Sequence, residues 1–236
     1  MPASPTPFAL FKRLLPRPVK GAMRRAYERR TLMEALHEIA SLPSGTVPSY
    51  TQLEELQRGW ANPGMAARTD YLMEVCRQAA RTSGPVLECG SGLTTLLLGL
   101  IAGRRGIETW TLEHLPEWHQ LLTATLARHD IPNVHLLLTP LRSFGNFTWY
   151  DPPLADLPPR FSLVVCDGPP SDTIGGRYGL LPLLRDRLTS QAIVLLDDAE
   201  RESEAEVLRR WQAERPMVTS IKETPSGTYA LAVVNS

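Results

Sequence analysis

Four acidic positions in this chain of 236 residues have the setting that chemistry needs: Glu88, Glu113, Asp167 and the pair Asp197-Asp198. Each closes a short apolar run. Glu88 also leads into the turn Cys89-Gly90-Ser91-Gly92. Glycines in such a turn let the backbone approach a ligand where a Cβ would collide. An ionised carboxylate offers only acceptors and takes two donors at once, which suits Glu113 to a pair of hydroxyls. Beside a turn that faces a ligand, the charge of Glu88 fits an ammonium or a sulfonium better than a pyrophosphate. Dinucleotide-binding turns share this geometry, but their fingerprint places a third glycine where this chain has Thr95. Asp167, Asp197 and Asp198 are candidates for a general base or for the hard oxygen ligands that magnesium prefers. The adjacent pair also reads as a helix N-cap before Ala199.

These positions must be held by elements. From Gly84-Pro85 onward, short apolar strands alternate with helical patterns. Strands are predicted at Val86–Cys89, Ile107–Leu112, Val134–Leu138, Phe161–Cys166 and Ile193–Leu196. Helices are predicted over Leu93–Ala102, Glu117–His129, within Gly179–Leu188 and over Ala199–Ala213. Strands near Val218–Lys222 and Thr228–Val234 flank Pro225-Ser226-Gly227, a gap short enough for an antiparallel hairpin. Five strands mostly separated by helices imply a parallel, doubly wound α/β sheet of Rossmann-like type, and the hairpin brings the strands to seven. In such sheets the crevice beyond the strand C-termini is the binding site. Upstream, helices are expected from about Met23 to Ala40 and from Ala66 to Ala80. The link Thr139–Arg160, rich in Pro and aromatics, is long for a plain connection.

The series Glu88-x-Gly90-x-Gly92, Glu113 at the next strand end and Asp167-Gly168-Pro169-Pro170 at the fourth resembles the motifs of class I S-adenosylmethionine (SAM)-dependent methyltransferases. The later Gly176-Arg177-Tyr178 and Asp197-Asp198-Ala199 resemble motifs of bacterial members described as methyltransferase-24-like. The resemblance covers about residues 84–234. It implies that Glu88, Cys89, Gly90, Ser91, Gly92, Glu113, His114, Asp167 and Gly168 surround SAM, with Glu113 on the ribose hydroxyls and His114 bordering the adenosine. It further implies that Asp167 faces the transfer site. Arg177 and Tyr178, after Gly175-Gly176, read either as catalytic-site residues touching the acceptor or the SAM carboxylate, or as part of a solvated loop. Catechol-type O-methyltransferases hold magnesium on an acid after the fourth strand and an Asp-Asn pair after the fifth. Asp167 with Asp197-Asp198 is similar to that set, departing from it in Asp198. The expected activity is O-methylation of a small molecule or glycan. A nicotinamide-type oxidoreductase and a non-catalytic SAM-binding module are the competing readings. Trp149-Tyr150-Asp151 reads either as acceptor-pocket lining or as packing beneath the loop.

Composition bounds the rest. Hydrophobic residues make up 43% of the chain, enough for a sizeable core, and the formal net charge is zero, which argues against nucleic acid as a partner. Residues 1–30 nevertheless carry eight Lys or Arg against Glu28 alone. Residues 1–20, basic and Pro-rich, are expected to be mobile. Peripheral membrane contact and contact with a second subunit in a homodimer are their further readings. Residues 21–83 form a helical extension and 84–236 the main domain. Cys76, Cys89 and Cys166 lack CxxC spacing and read as buried free thiols. No apolar run reaches the ~20 residues that a membrane span needs, and the expected location is cytoplasmic.

Overall fold

The computed structural model describes residues 16–62 and 66–235. Three helices come first: α1 (Arg17–Ser41), α2 (Tyr50–Trp60) and α3 (Thr69–Ala79). The main domain follows as β1 (Val86–Cys89), α4 (Leu93–Ile101), β2 (Thr109–Glu113), α5 (Pro116–Arg128), β3 (Val134–Leu138), β4 (Leu141–Ser143), β5 (Thr148–Tyr150) and β6 (Phe161–Cys166). After a 3-10 turn at Gly176–Gly179 come α6 (Leu180–Leu184), β7 (Leu188–Leu196), α7 (Glu202–Glu214), β8 (Met217–Thr224) and β9 (Gly227–Val234).

Seven strands form one sheet in the order β3-β2-β1-β6-β7-β9-β8. The first five are parallel, and β9 runs antiparallel to both β7 and β8. The chain winds outward from β1 in one direction and from β6 in the other, so the strand order reverses between them. That reversal leaves a crevice at their C-terminal ends. Successive strand residues alternate faces, and two cores result. Val86, Leu163, Val165 and Leu195 pack beneath α1 to α5. Leu87, Cys89, Val164, Cys166 and Leu196 pack beneath α6, α7 and the β4–β5 ribbon. All three cysteines are buried and free.

The helical extension departs from the sequence expectation in two ways. Helix α1 starts at Arg17 rather than near Met23, because Pro18 falls in its first turn, where a missing N–H loses no partner. Residues 17–20 are therefore helical. The remainder of the basic Pro-rich segment expected to be mobile, residues 1–15, lies outside the described residues. Helix α2 was not foreseen. Ser49 and Gln52 cap it reciprocally, and Leu53 and Leu56 bury its inner face.

Two further differences lie in the main domain. The link after β3 contains the two-stranded β4–β5 ribbon, with Trp149 and Tyr150 fully buried. β7 begins five residues before the apolar run Ile193–Leu196, carrying a left-handed Gln191 and a register shift against β6. Among the described residues, no helix is long and apolar enough to cross a membrane.

Candidate functional site

The turn after β1 is locked to the turn after β6. Gly90 has φ +87°, and a Cβ there would lie 2.9 Å from the Gly168 nitrogen. The Gly168 N–H donates to the Cys89 carbonyl at 2.7 Å. This close approach of two backbones accounts for both glycines. A Cβ on Gly92 would instead meet nothing within 4 Å, so this stretch of the turn faces open space. Thr95 joins the two parts. Its hydroxyl accepts from the Gly92 N–H at 2.9 Å and donates to Glu88 at 2.7 Å.

Glu88 does not point into the crevice. Strand alternation puts it on the same face as Val86, beneath α4, where it is fully buried. Its Oε2 accepts from Thr95 and from Thr111, each at 2.7 Å, while Oε1 has no partner. Burial pushes its carboxyl up to about 7 against the hydroxyl bonds that favour the charged form. Its role is to tie the turn to β2, which corrects the placement that the motif implied. Cys89 is likewise core, paired with Cys166 across the β1–β6 ladder, and only its carbonyl reaches the rim.

Beside the turn lies a cleft of about 130 Å³ lined by Gly90, Ser91, Glu113, His114, Leu115, Trp118, Tyr150 and Gly168, with Asn62 and Pro170 closing it. Glu113 forms its floor. One oxygen accepts from the Ser91 hydroxyl at 2.6 Å and the Ser91 N–H at 3.2 Å. The other accepts the N–H groups of His114 and Leu115 at 2.7 and 2.8 Å. The Ser91 hydroxyl can rotate away and yield its place to an incoming hydroxyl, whereas the backbone donors stay. The Trp118 indole donates to the Ser91 carbonyl at 2.7 Å and meets Trp60 of α2 edge-on. The Tyr150 hydroxyl is buried with no partner, and a Cβ on Gly168 would approach it to 2.4 Å. An unsatisfied donor in a cleft wall marks a place where a ligand acceptor fits.

A second cavity, of about 260 Å³, shares Pro170 with it and is lined by Asp167, Asp197, Asp198, Arg177 and Arg201, with Ala66, Ala67 and Arg68. The guanidinium of Arg177, 3% exposed, sits among the acids. Nη2 bonds both Asp167 and Asp198 at 3.1 Å, and Nη1 donates to the Asp197 carbonyl at 2.6 Å. Nε lies 3.8 Å from buried Glu204. Burial opposes the charge on Arg177, but Asp167, Glu204 and Asp198 outweigh it and keep the group protonated. Burial raises Asp167 to about 6, Arg177 pulling the other way. Burial and the neighbouring carboxylates raise Asp197 to about 8.

Helix α7 begins only at Glu202, behind Arg201, so Asp197 and Asp198 are not its caps. Tyr178, expected near the acceptor, lies elsewhere. Its hydroxyl bonds Glu214, its ring is covered by Arg210, and it lines neither cavity.

The structure thus gathers Gly90, Ser91, Glu113, His114 and Gly168 at one cleft. Asp167, Arg177, Asp197 and Asp198 meet at the next. Tyr150 lines the first cleft, while Trp149 is core and Asp151 pairs with Arg142 outside. Sequence reasoning missed Asn62, Leu115, Trp118 and Glu204. Trp118, on the first turn of the helix after Glu113, had a positional signal. Glu204, fully buried on the helix expected over Ala199–Ala213, carried no signal of its burial in the sequence.

No protein-family model and no curated protein matches the chain. Solved structures do. A methyltransferase of Podospora anserina bound to S-adenosylhomocysteine (SAH) aligns at 16% identity and TM-score 0.57, over 94% of this chain and 99% of that one. An O-methyltransferase of Bacillus cereus in complex with SAH gives 16% and 0.52, over 87% and 91%. The O-methyltransferase TomG of Streptomyces achromogenes, involved in tomaymycin synthesis and complexed with SAM, gives 15% and 0.52, over 84% and 94%. The chain has the fold of the class I methyltransferases.

Proposed function

We propose that this chain is a SAM-dependent methyltransferase that methylates an oxygen of a small molecule or glycan. The observation that carries the reading is Glu113. It is a nearly buried carboxylate at the end of β2, held by two backbone donors and one rotatable hydroxyl, on the floor of a cleft beside an open glycine turn. Such a group accepts a ribose diol once the Ser91 hydroxyl turns aside. The open space at Gly92 and the unpartnered Tyr150 hydroxyl fit a ligand lying along the same wall. The fold shared with SAM- and SAH-bound methyltransferases supports the same ligand.

SAM, when bound, supplies a methyl group already activated on a sulfonium. The protein's task is alignment, worth ~7–11 kcal/mol of barrier in well-oriented reactions. Asp167, just after β6 on the wall of the second cavity, is the group positioned to take a proton from an acceptor hydroxyl. A quarter of its side chain is exposed, and one of its oxygens is fixed by Arg177. Its raised pKa leaves it ionised and moderately basic at neutral pH. Residues 66–68 of the segment before α3 cover the acceptor-side cavity, and Asn62 closes the cofactor cleft. The extension before the main domain therefore takes part in acceptor choice.

Calorimetric titration with SAH tests the reading. A one-to-one complex with a dissociation constant below about 100 μM is expected, within the micromolar-to-millimolar scale of modest binding. No heat at that concentration, together with stabilisation by NADH, overturns the reading in favour of a dinucleotide.

A further inference from the structure

We propose that Arg177 stands in the place of the divalent cation that Asp167, Asp197 and Asp198 would otherwise hold, so that the acceptor is bound and deprotonated without a metal. The second half rests on the methyltransferase reading; the first does not.

The three carboxylates do bring one oxygen each to within 4.8 Å of one another, a spacing that a hard cation could use. Two of the three, however, converge on a single nitrogen. Arg177 Nη2 bridges Asp167 and Asp198 at 3.1 Å each, and Nη1 closes on the backbone of Asp197 at 2.6 Å. The guanidinium reached this place deliberately. Gly175 and Gly176, at φ +79° and +51°, turn the chain inward after the β6 loop. The 3-10 turn at Gly176–Gly179 buries the side chain. Glu204 of α7, fully buried, flanks Nε from behind, and Ser171 holds that carboxylate at 2.9 Å. A planar fork with fixed donors matches several carboxylates at once.

The acids also lack the freedom that ligation demands. Magnesium requires near-octahedral oxygens around it. Here Asp198 is shared between Arg177 and Arg201, the latter at 3.0 Å. A divalent ion entering between Asp167 and Asp198 would displace Nη2 and face an adjacent buried monocation. Displacement would strip that buried cation of two of its three carboxylate partners, leaving Glu204 and the Asp197 carbonyl, and removing partners is the costlier way to break a buried ion cluster. Arg177 is accordingly a positioning residue. It fixes one oxygen of Asp167 and leaves the carboxylate's other edge to the cavity. An acceptor need then offer one hydroxyl, with no second oxygen for chelation.

Manganese binding to the full chain, read from the electron paramagnetic resonance signal of free Mn2+, decides the matter independently of catalysis. Wild-type protein and Arg177→Lys should leave roughly 1 mM Mn2+ free, at the weak end of protein divalent sites. Arg177→Gln, which removes the charge and keeps much of the volume, should gain a single site at least about tenfold tighter than any wild-type binding, because the acids lose their resident cation. Stoichiometric binding by the wild type that Asp167→Asn abolishes would overturn the proposal, as would a folded Arg177→Gln chain that gains no site. If Arg177→Gln fails to fold, the wild-type and Asp167→Asn titrations still decide. SAH calorimetry on the same samples reports the methyltransferase reading separately, and transfer by the wild type should persist in excess EDTA.

Discussion

Glu88→Gln should remove a specific part of the pH dependence of folding. The Glu88 carboxyl is fully buried, and burial raises it from 4.5 to about 7. A carboxyl raised in the folded state binds its proton more tightly there than in the unfolded chain. Its contribution is therefore complete below pH 4.5 and falls as pH rises through 7. That displacement corresponds to about 3 kcal/mol, most of it lost between pH 5 and 8.5. Glutamine keeps an oxygen for Thr95 and Thr111 and cannot ionise. Urea denaturation of both proteins across that interval supplies the assay. Asp167 and Asp197 titrate in both, and the Asp167 charge is only a minor cause of the Glu88 displacement, so the difference between the two curves reports chiefly on position 88. The stability of Glu88→Gln relative to wild type should rise by roughly 2 kcal/mol from pH 5 to 8.5. Parallel curves would refute the argument that burial, and not the crevice, sets the state of this group.

Other outcomes follow from the site. Glu113→Ala should weaken SAH binding by about 1–3 kcal/mol, the cost of removing a partner from charge-assisted bonds, and should also lower the melting temperature, since the Ser91, His114 and Leu115 N–H groups lose their acceptor. Gly168→Ala drives a Cβ to 2.4 Å from the Tyr150 hydroxyl and 2.9 Å from the Gly90 Cα, so it should cost about 1–3 kcal/mol of stability and lower SAH affinity together. Calorimetry and thermal melts would show whether the two losses separate, which would contradict the shared rim. Tyr178→Phe should leave SAH affinity and turnover unchanged, since its hydroxyl bonds Glu214 away from both cavities; a loss of turnover with an unchanged melting temperature would restore the acceptor role.

The β1–turn–α4 unit was legible because its signals are local: an apolar strand, glycines at the turn and a leucine-rich helix. Glu113 was legible by its place at the next strand end. What the sequence hid was direction and partnership. Glu88 carries the motif, yet period-two alternation from Val86 sends its side chain under α4. Arg177 read as a loop residue because neither Glu204 nor the backbone of Asp197 is near it in sequence. Its burial is a tertiary fact. Helix α2 was missed because Pro43, Gly45 and Pro48 drew attention to breaks, while the capping pair Ser49 and Gln52 just beyond them announced a start. The ribbon within Thr139–Arg160 was concealed by prolines on either side of two three-residue strands.

The backbone clasp between Gly90 and Gly168 has a consequence for how such a protein diversifies. The donor-side and acceptor-side turns are one mechanical piece, so a mutation that reshapes either one drags the other along. Drift toward new acceptors has little room at that rim. It has far more at Asn62, which lines one chamber, and at Ala66, Ala67 and Arg68, which line the other, all outside the sheet and able to change without disturbing the floor.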